Sequence, residues 1–333
     1  MHRLLALDLD GTMLNSNKII TPETRNSIQQ LMADEVAVTI ASGRFPASVW
    51  LHAREIPLNF PLVALNGAVT VDAETCQMIE GFPLDTASLL YILNVIEEES
   101  AYVHFYGYNV LFVRQINDTN RNWALNNVVV RPELPWTEDH YKEQTELIRL
   151  VEVGSDFKSF VNSMPGMIYK AAVICTNLAA RDRIYNQLKA SAMYQCTKTG
   201  SLRFDVNAVG ISKRGALEHL FREQGIDRQE VAAAGDYDND LDMLQWAGLG
   251  IAMGNAEPHV KASADVITGT NEQDGVAMAI RNYLLKYPFH NIGCTINLSK
   301  YKTTPQVANK GENFRDSIQK VITSARSDRY GRI

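Results

Sequence analysis

A chain of 333 residues is longer than one typical domain and suggests two, with ample length for a buried core. Its hydrophobic fraction of 46% and charged fraction of 21% are ordinary for a globular protein, and a formal net charge of -6 without a long basic stripe excludes a general nucleic-acid binder. Cys76, Cys175, Cys196 and Cys294 form no CxxC pair, so neither a zinc ribbon nor a disulfide framework is expected. No apolar run approaches the ~20 residues that cross a bilayer, and Asp8 interrupts the N-terminal one too early for a signal peptide. The expectation is a cytoplasmic protein with no membrane and no nucleic acid among its partners.

The run Leu4-Leu5-Ala6-Leu7 reads as a buried strand over 4–8, and it feeds into Asp8-Leu9-Asp10-Gly11-Thr12. Side chains alternate along a strand, so Asp8 and Asp10 share a face, and Gly11 lets the chain turn sharply. Two like charges repel by about 4 kcal/mol at ~4 Å and an effective dielectric near 20. The pair therefore needs a cation nearby, or one acid that keeps its proton. A simple hairpin turn is the bland alternative, but residues 13–17 make a poor second strand.

Thr21-Pro22 opens a helix as N-cap and first-turn proline, with Ile28, Leu31 and Met32 at helical spacing. A second buried strand spans 36–40 and leads into Ala41-Ser42-Gly43-Arg44. A hydroxyl, free backbone N–H groups and a guanidinium suit a phosphate; taken alone, Ser42 is equally suited to capping a helix and Arg44 to the surface. A third strand, 62–65, ends at Asn66-Gly67.

From about Phe82 to Asn207 the texture changes, with half-exposed strands at 102–106 and 167–174 and helices at 86–99 and 178–190. This predicts an α+β insert with a largely antiparallel sheet. Beyond it, Gly210-Ile211-Ser212-Lys213 precedes a helix through Leu217, Leu220 and Phe221. A lysine at the positive end of a helix dipole is electrostatically misplaced, which favours a functional role. Strand 231–234 then runs into Gly235-Asp236-Tyr237-Asp238-Asn239-Asp240. Three carboxylates and an amide on one loop suit a hard cation, without the spacing of an EF-hand, the alternative being an acidic capped turn. Strands at 249–253 and 266–267 and a helix at 274–285 close the pattern.

Short apolar strands alternating with helices predict a parallel sheet covered on both faces, interrupted by the insert. The four polar clusters would meet at the sheet's carboxyl edge, where such folds bind ligands. Residues 287–333 lack this rhythm and carry eight lysines and arginines against three acids; a helix over 312–326, with Phe314, Ile318, Val321 and Ile322 on one side, is the element expected there.

In order and content the clusters resemble the four motifs of the haloacid dehalogenase (HAD) superfamily: DLDGT, the serine of SGR, the lysine of GISK, and GDYDND. Asn66-Gly67 and Gly250-Ile251-Ala252-Met253-Gly254-Asn255-Ala256 are similar to stretches of its Cof-like branch, and the resemblance covers about residues 1–286. It implies an α/β fold with a Rossmann-like core over 1–81 and 208–286, an inserted type IIB α/β cap over 82–207, and a C-terminal extension over 287–333. It further implies a Mg²⁺-dependent phosphatase acting on a small phosphorylated metabolite such as a sugar phosphate, pyridoxal phosphate or flavin mononucleotide. By the same resemblance Asp8 attacks phosphorus and Asp10 serves as acid and base. Ser42, Gly43, Arg44, Asn66, Lys213 and Asn239 surround the phosphoryl group and substrate, and Thr12 places Asp10 or the phosphate. Asp8, the Asp10 carbonyl and Asp236 hold the metal, and Asp240 orders its water.

One departure is visible. Many Cof-like sequences have glycine directly after the motif lysine, whereas here Arg214 intervenes before Gly215, leaving open whether this cation faces substrate or solvent. A P-loop is absent, and Gly248, Gly250 and Gly254 miss the dinucleotide-binding spacing. A sugar phosphomutase on the same fold and a non-catalytic HAD-fold binding protein are the rival readings. The cap would supply substrate choice, but the sequence does not place its polar and aromatic residues, His104, Tyr106, Arg114, Trp123 and His140 among them, and the expectation for each taken singly is a structural or exposed role rather than a substrate contact.

Overall fold

The structure is a computed structural model describing residues 2–117, 120 and 147–285. The tail, with its expected helix at 312–326, and Trp123 and His140 lie outside the described residues. Five parallel strands form the core sheet in the spatial order Val266–Ile267, Leu249–Ala252, Val231–Gly235, Leu4–Leu7, Ala37–Ile40. Leu4 pairs with Ala37 on one side and Val231 on the other. The chain leaves this first strand toward one side and returns on the other, so the crevice beyond residue 7 is a topological switch point.

Both faces of this sheet are covered, which is why its strands read as unbroken apolar runs. Leu5, Leu7, Val38 and Ile40 pack against Ile28 and Leu31 of helix Pro22–Ala33. Leu4, Ala6 and Ala37 face Leu217 and Phe221 of helix Lys213–Gln224. Each leucine so buried stabilises the fold by about 1.5–3 kcal/mol. As expected, Thr21 caps its helix, its side chain accepting from the Thr24 N–H, with Pro22 in the first turn. A parallel bridge from Ala41 to Val63 attaches an antiparallel ribbon of Leu62–Ala64, Val69–Val71 and Met78–Gly81.

The second sheet has six strands in the order Tyr194–Gly200, Arg203–Ala208, Lys170–Ile174, Tyr102–Gly107, Val110–Val113, Arg149–Glu152. Every pair is antiparallel except the last. Val103, Phe105, Val173, Phe204 and Val206 pack with Ile92 and Ile96 of helix Thr86–Glu98 and Ile184 and Leu188 of helix Leu178–Ala190. The intervening residues, including Tyr106, Lys170, Asp205 and Asn207, fall on the opposite face by the two-residue period. That face meets the core: Lys170 donates to the Gly43 carbonyl, and Asn207 donates to that of Leu65.

Some boundaries differ from expectation. The strand expected over 167–174 begins at Lys170, because the Leu84 N–H already occupies the Ile168 carbonyl at 2.8 Å. The closing helix, expected over 274–285, starts after Asp274, which has a left-handed φ of 56°, and changes from α over Gly275–Ala279 to π over Ile280–Leu284. Among the described residues no helix is long and apolar enough to cross a membrane.

Candidate active site

Asp8 donates its N–H to the Ala234 carbonyl at 3.0 Å, one step past the last paired residue of its strand, which puts its carboxylate at the sheet's carboxyl edge. There Oδ1 lies 2.6 Å from the ammonium of Lys213, and the same ammonium lies 2.7 Å from Asp240 Oδ1. Lys213 is fully buried. The lysine that looked misplaced at a helix start is thus compensated by two carboxylates. Asp240 uses its other oxygen to accept from the N–H groups of Asp236 and Tyr237, at 3.0 and 3.1 Å. The acidic loop is therefore a capped turn and a charge cluster at once.

Asp236 accepts from the Thr12 hydroxyl at 3.3 Å and from the Asn255 amide at 3.4 Å. Thr12 accordingly places Asp236, where the resemblance implied Asp10 or phosphate. Carboxylate oxygens of Asp8, Asp236 and Asp240 lie within 4.8 Å of one another. Burial raises the Asp8 pKa well above the usual carboxylate range; Lys213 opposes this, and the charges of Asp240 and Asp236 add to it. Asp236 is pushed up to about 7 by burial and by Asp240, against Lys213 and the Thr12 hydrogen bond. For Lys213, burial acts downward, but the two carboxylates prevail and hold the ammonium charged. Two buried acids and a half-buried third against one ammonium make a surplus of carboxylates that suits a hard divalent cation. Gly11, at φ +77°, passes so close to the Asp236 carboxylate that a Cβ there would collide with it.

Asp10 sits on the rim, its side chain 42% exposed. The Arg44 guanidinium grips it in a two-pronged pair, Nε to Oδ2 at 2.6 Å and Nη2 to Oδ1 at 2.7 Å, and Lys18 adds a third contact at 2.6 Å. Desolvation alone would raise the Asp10 carboxyl, but the hydrogen bonds and charge of Arg44, with those of Lys18, hold it well below the usual range. Arg44 is also anchored from behind. Its Nη1 donates to Ser48 Oγ at 3.2 Å and lies 3.4 Å from His52 Nε2. Burial lowers the His52 pKa, so the ring is neutral and accepts there while Nδ1 faces Glu55 at 3.3 Å. With every arm engaged, Arg44 is not open to a phosphate in this arrangement, a departure from the role implied for it.

Ser42 is not a helix cap: helix Pro46–Glu55 begins four residues later, with Phe45 at its N-cap position. The Ser42 hydroxyl instead accepts from the Arg44 N–H at 3.3 Å, keeping the loop tight beside the site. Asn66 follows in a left-handed conformation, φ 59°, uncommon for a residue with a side chain and a mark of local strain. It receives the Asn239 amide on Oδ1 at 3.4 Å and donates from Nδ2 to Asp205 at 2.9 Å. Gly43 lies against it, where a Cβ would meet Asn66 Oδ1 at 2.7 Å.

Asp8, Asp10, Ser42, Gly43, Arg44, Asn66, Asp236 and Asn239 line one cavity of about 640 Å³, to which Lys18, Tyr106, Lys170, Arg203 and Asp205 also contribute. The last four come from the second sheet, and of these the sequence reading named only Tyr106. The signal available was polar residues at alternate positions between apolar ones, Asp205 and Asn207 flanking Val206, which marks a strand with one wet face. Arg214 points away: it is 47% exposed and pairs with Glu218 at 3.6 Å, while the Gly215 N–H donates to the Ser212 hydroxyl in an ordinary N-cap. Arg114 is likewise 39% exposed and lies 4.0 Å from Glu97. His104 is buried in the sheet between Tyr102 and Tyr106.

The chain is similar over most of its length to known proteins. The chain is 29% identical over 284 residues to the Bacillus subtilis 5-amino-6-(5-phospho-D-ribitylamino)uracil phosphatase YcsE, covering 85% of this chain and 96% of that one. It is 25% identical over 283 residues to the Escherichia coli pyridoxal phosphate phosphatase YbhA, covering 85% and 99%. A solved haloacid dehalogenase-like hydrolase from Bacillus subtilis superposes with a TM-score of 0.72 at 26% identity, over 85% of this chain and 100% of that one. The family model for haloacid dehalogenase-like hydrolases matches residues 5–280. The chain belongs to the haloacid dehalogenase-like hydrolase family, in its Cof-like phosphatase branch.

Proposed function

We propose that this enzyme is a Mg²⁺-dependent phosphatase that hydrolyses phosphomonoesters of small metabolites through an aspartyl-phosphate on Asp8. The observation that carries this reading is the buried Lys213 ammonium bridging Asp240 and Asp8, the latter lining a cavity that Asp10 also lines. The relatives named above act on a ribitylamino-uracil phosphate and on pyridoxal phosphate. Substrates of the sugar phosphate, pyridoxal phosphate or flavin mononucleotide class are compatible with the cavity's size.

Asp8 attacks phosphorus, forming a bond to one carboxylate oxygen while the ester oxygen departs. Lys213 favours the anionic form of Asp8 against its burial, and with the Ser42 hydroxyl it binds the transferring phosphoryl group. Asp10 protonates the leaving oxygen and then takes a proton from the water that hydrolyses the aspartyl-phosphate. Pinned by Arg44 and Lys18 it is ionised, the form needed for the second task. The first task requires it to leave Arg44 and take up a proton. Magnesium would be held by the Asp8 and Asp236 carboxylates and the Asp10 carbonyl, with Asp240 beside it, and would supply charge neutralisation to the phosphoryl oxygens. Residues 82–207 act as the lid that selects the leaving group, over a core of 1–81 and 208–286. The protein works in the cytoplasm on a diffusible metabolite, with no nucleic acid or membrane partner.

The test is phosphate release from a panel of phosphorylated metabolites, with magnesium and with a chelator. Metal-dependent release from some of them is expected. No release from any, by folded protein, would favour the mutase or binding readings.

A further inference from the structure

Lys170 and Asp205 form an ion pair at 2.8 Å, with side chains only 4% and 8% exposed. They belong to neighbouring strands and sit diagonally, Asp205 standing opposite Ala172. Burying such a pair is costly unless its remaining hydrogen-bonding capacity is also used. Lys170 meets that condition. Its ammonium donates to Asp205 and to the Gly43 carbonyl at 2.8 Å, and it lies 4.1 Å from the Tyr106 ring centre.

Asp205 does not. Oδ2 accepts from both Lys170 and Asn66, while Oδ1 accepts no hydrogen bond among the described residues. A carboxylate oxygen is a strong acceptor, and this one is not enclosed by the protein, which leaves it open to a donor in the cavity. Asp205 lines the same cavity as Asp8, on the wall that the second sheet contributes. Asn66 fixes its position relative to the site, since the same side chain is tied to Asn239 on the acidic loop.

We propose that Asp205 is a specificity-determining residue, whose unused oxygen accepts a hydrogen bond from a hydroxyl of the leaving alcohol. This rests on the phosphatase reading and goes beyond it by naming the chemistry selected, a hydroxylated leaving group of the polyol or sugar kind. Lys170 is the positioning residue behind it. A leaving group carrying its own anionic substituent at that point is repelled by the same carboxylate.

The experiment compares kcat/KM for a polyol or sugar monophosphate with that for its deoxy analogues and for p-nitrophenyl phosphate. A site built to bond a hydroxyl rejects an analogue lacking it, so removal of the recognised hydroxyl costs wild type about tenfold or more. In Asp205→Asn, Lys170 and Asn66 both demand an acceptor, which turns the amide NH₂ toward the cavity; the preference for the hydroxylated ester then falls by about tenfold or more. A Lys170→Met/Asp205→Leu double variant, which leaves no unpaired charge, loses the same preference and serves if the single variant does not fold. Wild type indifferent to every deoxy substitution, or a preference retained in either folded variant, overturns the inference while leaving the phosphatase reading in place. Release from no ester at all overturns the phosphatase reading itself.

Discussion

Lys213 Nζ lies 2.6 Å from Asp8 Oδ1, and the ammonium is wholly sealed from solvent. Removing one partner of a buried pair strands the other charge. Lys213→Ala leaves Asp8 and Asp240 facing each other without a counter-ion, and the expected cost is about 3–5 kcal/mol in metal-free urea unfolding. Loss below ~1 kcal/mol would mean that the pair is open to water.

Arg44 donates to Asp10 as a planar fork and is itself braced by Ser48 and His52. A lysine supplies a point charge and cannot reproduce that geometry. Arg44→Lys is expected to lower kcat by about tenfold or more, as Asp10 loses its fixed position. Steady-state kinetics on any accepted ester checks this, and wild-type kcat in the variant would release Arg44 from that role.

Gly11→Ala places a methyl group against the Asp236 carboxylate, at a φ that disfavours any side chain. The expected outcome is a magnesium requirement shifted upward by about tenfold or more, with the protein still folded. A magnesium titration of activity that superposes on wild type would separate Asp236 from metal binding.

His104 is buried, and desolvation, with the charges of Lys170 and Arg203, pushes its pKa down to about 3 from an ordinary 6.5. The unfolded chain therefore takes up a proton at a higher pH than the folded one. Stability is unaffected by this group above about 6.5 and declines as the pH falls from there to about 3. His104→Phe is expected to lose less stability on acidification than wild type, by an amount on the order of a few kcal/mol. Urea midpoints measured across that range check it; identical slopes for the two proteins would contradict it.

The core of the site was legible because each of its parts is local: carboxylates at a strand end, a lysine at a helix start, a crowded acidic loop. The wall opposite was not. Lys170 and Asp205 are 35 residues apart, and their meeting depends on the register between two strands, which no short pattern encodes. Arg44 shows a subtler gap, since its neighbours four and eight positions on, Ser48 and His52, share a helix face and take up the arms that the sequence offered to phosphate. The fold class followed from the alternation of apolar runs. The ribbon at 69–81 and the short strands at 110–113 and 149–152 carried too little pattern of their own to be read.

The most direct test of the account is to ask whether Asp8 carries the phosphoryl group. Single turnover of a radiolabelled phosphoester, quenched in acid, should leave a hydroxylamine-sensitive label on the peptide containing Asp8. Asp8→Asn should show no label and turnover reduced by roughly a thousandfold or more, with its fold intact. Turnover by Asp8→Asn near the wild-type rate, or label on another residue, would contradict it.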